Sequence, residues 1–136
     1  PEELRAQARR LGVTATFTGP QSRTQLARSF RTAGLLLVPS HSETYGLVAL
    51  EAAASGIPVL ASDTGGLREA VVDGHTGILL GTRDPADWAR EITRLAADPA
   101  LAARMGQAGR AHALTHTWHR TATLLVAAYR TALDAT

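Results

Sequence analysis

Short apolar runs alternate with longer segments of helical periodicity along this chain. Three runs, residues 35–38, 58–62 and 77–80, are continuous and mostly apolar, which is typical of strands buried on both faces of a sheet. A fourth stretch, Val13 to Thr18, alternates β-branched, small and aromatic residues and stops at Gly19-Pro20. This stretch predicts another strand.

Helical periodicity and capping residues fill the segments between these runs. Polar N-cap residues, prolines at helix starts and glycines at helix ends mark the boundaries. The pattern predicts helices over residues 1–11, 22–32, 46–55, 67–71, 84–97, 98–115 and 118–133. Strands that alternate with helices favour a parallel sheet covered by helices on both faces. We therefore expect one α/β domain over residues 1–136, with a helical tail over 115–136.

Composition restricts the class of protein. The 136 residues are 45% hydrophobic and 19% charged, the balance of a globular domain with its own core. Cysteine is absent, which excludes disulfides and cysteine-ligated metal sites. No apolar run approaches the ~20 residues needed to cross a bilayer, and the start does not resemble a signal peptide. We expect a cytoplasmic protein without a transmembrane segment, and the start at Pro1 suggests a piece of a longer chain.

The distribution of basic residues argues against a nucleic acid partner. The net charge is +2 and the isoelectric point about 9.9, because lysine is absent and arginine supplies every non-histidine base. The arginines are scattered among acids on predicted helix faces, as in REITR. Nucleic acid binders instead concentrate them in a patch with aromatic residues. We expect these arginines to be solvated and expect no nucleic acid binding.

Candidate chemistry lies where predicted strands end. Ligands of open parallel sheets bind beyond the carboxyl ends of the strands, in loops that lead into helices. The loops over residues 19–22, 40–46 and 62–66 qualify, and the middle one is the richest in polar residues. The loop enters a predicted helix at Gly46. The free N–H groups at the start of that helix, and the positive end of its dipole, suit a phosphate group. The amides of Leu47 and Val48 would point at that ligand.

Two glutamates flank this helix start. Helical side chains lean toward the N-terminus, so Glu51 can reach back toward a ligand there and hold a pair of sugar hydroxyls. Glu43, on the loop, could hold a second polyhydroxyl group on the other side of the phosphates. A base–ribose–diphosphate–sugar molecule has that layout.

Other interpretations of the two acids stay open at this point. Glu43 could be an exposed loop acid and Glu51 a helix-surface acid near a favourable dipole. The pair could also be the acid and base of a glycosidase, although that chemistry needs a deep cleft with two walls.

The segment VPSHSETYGLVALEAAASGIPVLASDTGGLREAV resembles the C-terminal domain of retaining GT-B glycosyltransferases of glycosyltransferase family 4. The shared pattern is a Glu, seven residues and a second Glu, after a PS strand end and before a GxPV strand and a GG turn. The similarity extends from LGVTATFTGP to TWHRTATLLVAAYR, and mycothiol-pathway N-acetylglucosaminyltransferases are among the relatives that look similar. It implies a Rossmann-like sheet that binds a nucleotide sugar.

The resemblance also implies roles for individual residues. Glu43 would contact the transferred sugar, as a positioning and transition-state-stabilising group of the catalytic site, and Glu51 would contact the ribose. No metal or cofactor is required on that scheme. The remaining implied donor-binding residues are Tyr45, Gly46 and Leu47 for the diphosphate, the adjacent Thr44 and Val48, and the base-side Gly19, Pro20 and Gln21.

Parts of the family pattern are missing from this chain. The Gly-rich turn, the basic pair for the diphosphate and the whole N-terminal acceptor domain have no counterpart here, and the missing strands would lie between residues 13–18 and 35–38. We therefore expect a donor-binding half that is inactive alone, from an enzyme that is cytoplasmic or peripheral to a membrane. The alternative is a non-catalytic nucleotide-binding or interaction module.

Three further features each have two interpretations. Gly65-Gly66 is either a plain turn or part of the ligand site. His112, His116 and His119 recur at helix-like intervals and could form a metal-binding face. Apolar residues of the tail would form core or, without an acceptor domain, an exposed patch that can self-associate; they are Trp118, Leu124, Leu125 and Ala128.

Overall fold

A computed structural model describes residues 2–134 of the chain. The predicted helices and three of the four predicted strands are present. The elements, in chain order, are α1 (Glu2–Arg10), α2 (Arg23–Thr32), β1 (Leu36–Val38), α3 (Leu47–Ala54), β2 (Val59–Ser62), α4 (Leu67–Ala70), β3 (Gly77–Leu80), α5 (Pro85–Ala97), α6 (Pro99–Ala113) and α7 (Trp118–Asp134). Pro1, predicted as the start of α1, lies outside the described residues.

The strands form one parallel sheet in the order β1-β2-β3. Leu60 of β2 is in register with Leu37 on one side and Ile78 on the other. Helices connect the strands, because parallel strands need a crossover to return to the same end of the sheet. The predicted α/β class with a parallel sheet is confirmed.

Alternation along β2 divides the core between the two faces of the sheet. All four residues of β2 are buried. Val59 and Ala61 pack with α3 and α4, whereas Leu60 faces the other way and packs with Leu95 of α5 and Met105 of α6. Helices therefore cover both faces, as the continuous apolar run predicted.

Small residues bring α6 close to α3. A Cβ atom added at Gly106 would collide with the carbonyl oxygen of Gly56, just after α3. One added at Gly109 would lie 3.2 Å from the carbonyl oxygen of Thr76 and 3.4 Å from Cβ of Ala53. This close contact fixes α3, the helix that carries Glu51, against the body of the domain.

The strand predicted over Val13 to Thr18 is wrong. These residues form no strand and are mostly exposed. The prediction of two buried faces is also wrong for β1, since Leu37 is 44% exposed. The first difference has a physical cause: within residues 2–134 no strand pairs with the outer edge of β1, and an alternating segment without a neighbour gains no ladder hydrogen bonds.

The final helix lies on the surface. Every residue of α7 is exposed, and Trp118 is 89% exposed. The core interpretation of Trp118, Leu124, Leu125 and Ala128 is wrong. These residues are exposed, and self-association through them stays a prediction. None of the helices within residues 2–134 has the length and apolar character that a membrane span requires.

Candidate functional site

Three loops meet at the carboxyl end of the sheet. The β1–α3 loop covers residues 39–46, the β2–α4 loop covers 63–66 and the β3–α5 loop covers 81–84. Because the strands are parallel and adjacent, these loops lie side by side at one edge, the usual place for ligands in such sheets. The candidate site is built around the first of them.

The side chain of Glu43 folds back onto the backbone that directly precedes α3. Its Oε1 accepts hydrogen bonds from the backbone N–H groups of Gly46 at 3.2 Å and Tyr45 at 3.4 Å. The carboxylate is half-buried and lies at the positive end of the helix, where a negative charge is stabilised. Glu43 is thus held in the site, and its role toward a sugar stays a prediction.

Two amides at the start of α3 remain free. Gly46 is the N-cap residue, and its carbonyl accepts from Ala49 and Leu50. The N–H groups of the next two residues, Leu47 and Val48, have no acceptor among the described residues. The first turn of a helix leaves such donors unpaired, and Leu47 is 60% exposed. These two amides are therefore available to an anionic group.

Gly46 is needed for its backbone geometry and its packing. Its φ of 78° is in the left-handed region that favours glycine. It is buried, and an added Cβ would lie 3.0 Å from Cβ of Ala70 and 3.3 Å from Leu67 of α4. The side-chain face of Gly46 is thus packed against α4.

Glu51 lies on the exposed ridge of α3 between two grooves. One groove, of about 220 Å³, separates α3 from α2; the other, of about 390 Å³, separates α3 from the α6–α7 corner. The first is lined by Arg23, Leu26, Ala27, Phe30, Glu51, Ala54 and Ser55. The carboxylate can therefore meet a ligand that runs from the start of α3 into either groove.

The predicted base-side loop leads into the smaller groove. Gly19, Pro20 and Gln21 are exposed and directly precede Ser22, the N-cap of α2. Arg23, the first residue of α2, lines that groove together with Glu51. Within the described residues no hydrogen bond links the loop to Glu43 or to Glu51, so its base contact stays a prediction. Thr44 is exposed beside Glu43.

Arg83 is a cationic residue of this edge that the sequence reasoning missed. Its Nη1 lies 2.8 Å from Nε2 of His41, and its Nη2 donates to the carbonyl of Ser40 at 3.4 Å. Arg83 follows the carboxyl end of β3. Applying the strand-end rule to the third strand as well as to the first two would have found it.

The three histidines do not gather into a metal site. The rings of His112 and His116 are 4.6 Å apart, edge to face. His112 lies 2.9 Å from the carbonyl of Glu69 and His116 3.1 Å from the carbonyl of His112, whereas His119 belongs to α7. In the part of the chain that the structure describes, no three His, Cys, Asp or Glu side chains are placed to share a metal ion.

Residues 1–112 match the family described as Glycosyl transferases group 1. The chain belongs to the glycosyl transferase group 1 family. This confirms the resemblance carried by the Glu43–Glu51 segment.

Curated glycosyl transferases of this family are similar to the chain along its length. It is 46% identical over 137 residues to D-inositol 3-phosphate glycosyltransferase of Streptomyces avermitilis, with 99% of the chain and 30% of that protein covered. The enzyme of the same name from Mycobacterium avium is 48% identical over 136 residues, with 98% and 32% covered. The chain therefore spans about 30% of the length of the curated relatives it matches.

Solved glycosyl transferase structures share the fold. Sucrose-phosphate synthase from Thermosynechococcus elongatus superposes with a TM-score of 0.85 at 33% identity, covering 99% of the chain and 35% of that protein. Anabaena HepE, solved in complex with UDP-glucose, superposes with a TM-score of 0.82 at 25% identity, covering 96% and 36%.

Proposed function

We propose that this chain is the donor-binding half of a retaining glycosyltransferase that transfers a sugar from a nucleotide-diphosphate sugar to an acceptor. The observation that carries the proposal is the start of α3, where two unpaired amides directly follow the segment held by the Glu43 carboxylate and Glu51 lies one turn further along the helix. The similarity to Anabaena HepE, solved with UDP-glucose, supports a nucleotide sugar as the donor.

The proposed binding mode places each part of the donor on a named group. The diphosphate accepts hydrogen bonds from the free amides of Leu47 and Val48, at the positive end of α3. Glu51 accepts hydrogen bonds from ribose hydroxyls, and the base lies toward Gly19–Gln21 in the groove beside α2. The transferred sugar lies on the Glu43 side of the phosphates, near Thr44 and the amides of Tyr45 and Gly46.

The proposed transfer needs no protein nucleophile. An acceptor hydroxyl oxygen forms a bond to the anomeric carbon on the same face from which the diphosphate oxygen departs. The acceptor proton passes to that departing oxygen, so atoms and charge balance. The α3 amides stabilise the negative charge that grows on the diphosphate. Glu43 holds the sugar and stabilises the positive charge that develops at the anomeric carbon.

The proposal limits what the 136 residues do alone. The acceptor would be bound by a domain that this chain does not contain, so we expect donor binding without transfer from the isolated chain. Non-catalytic nucleotide binding is the alternative function. In the intact enzyme α7 would pack on the acceptor domain, and in the isolated chain its apolar face would pair with another copy. The cytoplasmic or membrane-peripheral location expected from the sequence stays a prediction.

Calorimetric titration tests the donor assignment. The intact protein is titrated with a panel that includes UDP-glucose and GDP-mannose, and one nucleotide sugar should bind clearly more tightly than the rest. Glu51→Ala should then weaken that binding by roughly 10- to 100-fold, the cost of losing hydrogen bonds to a charged group. Glu3→Ala, on the exposed face of α1, is the matched control and should bind like the wild type. Equal affinity of the wild type and Glu51→Ala would contradict the proposal.

A further inference from the structure

The glycine pair of the β2–α4 loop packs directly on the backbone that carries Glu43. The N–H of Gly66 donates to the carbonyl oxygen of Glu43 at 2.8 Å. A Cβ atom added at Gly66 would lie 2.5 Å from both the carbonyl oxygen of Thr44 and Cα of Tyr45. One added at Gly65 would collide with the carbonyl oxygen of Glu43, and φ at Gly65 is 48°. Any other residue would push these backbones apart.

The glycine loop is itself fixed and cannot easily yield. The N–H of Asp63 donates to the carbonyl of Leu80 in β3 at 2.9 Å. Nε of Arg68 lies 2.6 Å from Oδ1 of Asp63, which ties the start of α4 to the end of β2. An added side chain at Gly66 would therefore move the Glu43–Tyr45 segment more than its own loop.

The diphosphate side of the site has a support of its own, besides the packing of Gly46 on α4. The amides of Leu47 and Val48 belong to α3, which α6 fixes through the close contact at Gly106. A displacement of the Glu43–Tyr45 segment consequently separates the sugar side of the site from the diphosphate side.

We propose that Gly65 and Gly66 are positioning residues that set the place of Glu43 against the transferred sugar, an inference that rests on the proposed function. A side chain added at Gly66 reaches a normal contact distance only if the Glu43–Tyr45 backbone moves by roughly 1 Å. Misplacements of that size cost up to ~100-fold in catalysis. The displacement should weaken binding of the sugar part of the donor, and the nucleoside diphosphate should bind almost normally.

The test uses calorimetry on the intact protein to compare its affinities for UDP-glucose and for UDP. If the donor panel selects another nucleotide sugar, that sugar and its nucleoside diphosphate take their place. Gly66→Ala should weaken UDP-glucose binding about tenfold or more and UDP binding less than about threefold, a difference of at least ~0.7 kcal/mol. Gly34→Ala is the matched control, because Gly34 has open space around it and no left-handed backbone. It should leave both affinities unchanged.

A second variant covers the case in which Gly66→Ala does not fold. Arg68→Gln removes an exposed ion pair from the loop without adding bulk, and should lower the UDP-glucose to UDP affinity ratio by about twofold to threefold. If the variants weaken both ligands equally, or weaken neither, the glycines are only structural and the inference is overturned. If the wild type binds no nucleotide or nucleotide sugar, the proposed function itself fails.

Discussion

At the scale of single residues, Glu43 has two partners that compete for its carboxylate. In the structure the carboxylate accepts from the amides of Tyr45 and Gly46. In the proposed donor complex it holds a sugar hydroxyl and leaves those amides to the donor. The exchange is nearly balanced, since each charge-assisted hydrogen bond that breaks is replaced by one to the ligand. Glu43 thus reversibly covers the two amides that precede α3.

Glu43→Gln tests the catalytic part of this role. The amide oxygen of glutamine can still accept from the Tyr45 and Gly46 amides, but the negative charge opposite the developing positive charge is lost. We expect transfer by the intact enzyme to fall roughly 10²- to 10³-fold, as for other preorganised electrostatic groups. Binding of the nucleoside diphosphate should change less than about threefold. Initial rates at saturating donor, together with calorimetry, measure the two effects.

The control for this prediction is Glu69→Gln, an exposed glutamate of the adjacent α4. It should retain wild-type transfer and binding. A Glu43→Gln enzyme with an unchanged turnover rate would show that the carboxylate serves only to hold the loop before α3.

The site features that could be predicted from the sequence are those that lie within one stretch of chain. The eight-residue offset between Glu43 and Glu51, and the glycine at the helix start, place both acids near the α3 terminus without any tertiary information. The contacts of Gly66 with Thr44 and of Arg83 with His41 join loops that follow different strands. Such contacts depend on how the loops are brought together by the sheet, which local pattern does not encode.

At the scale of elements, the contact between α3 and α6 should reverse the usual stabilising effect of replacing a glycine inside a helix by alanine. Glycine inside a helix usually costs about 1 kcal/mol relative to alanine, so replacement normally stabilises. At Gly106 the added methyl would strike the carbonyl of Gly56. We expect Gly106→Ala to lower the free energy of unfolding by about 1–3 kcal/mol, the usual range for overpacking. Urea denaturation followed by circular dichroism measures the change.

The matched control is Gln107→Ala, one position further along α6 and exposed. It should be neutral or slightly stabilising, because it improves helix propensity without a new contact. A Gly106→Ala variant that is as stable as Gln107→Ala would show that α6 can move away from α3 at little cost.

Element boundaries were predicted well where capping residues define them. Asp84 and Asp98 cap α5 and α6 through their side chains, and Ser22 forms a capping box with Gln25. The strand over Val13 to Thr18 failed for a different reason. Strand propensity reports a fit to neighbouring strands more than an intrinsic preference, and no partner for that segment exists within residues 2–134.

At the scale of the whole molecule, the sheet has an incomplete edge. The family relatives are about three times longer than this chain, and β1 pairs with β2 on one side only. The class of fold could be predicted from alternation of strands and helices, which is a local property. The exposure of Leu37 and of α7 could not, because a local pattern marks a surface as apolar without showing whether another element covers it.

The apolar face of α7 gives the last prediction, for the isolated 136-residue chain. Trp118, Leu125 and Tyr129 recur at helical spacing and are 89%, 50% and 62% exposed. An isolated helix of this length is marginal in water, so burial of this face against a second copy favours both helix and dimer. Multi-angle light scattering should give a mass above 14.3 kDa that rises with concentration. Leu125→Gln with Tyr129→Gln should return the monomer mass, whereas Thr123→Gln with Ala127→Gln, on the opposite face, should not. A monomer at every concentration would show that the exposed face does not drive association.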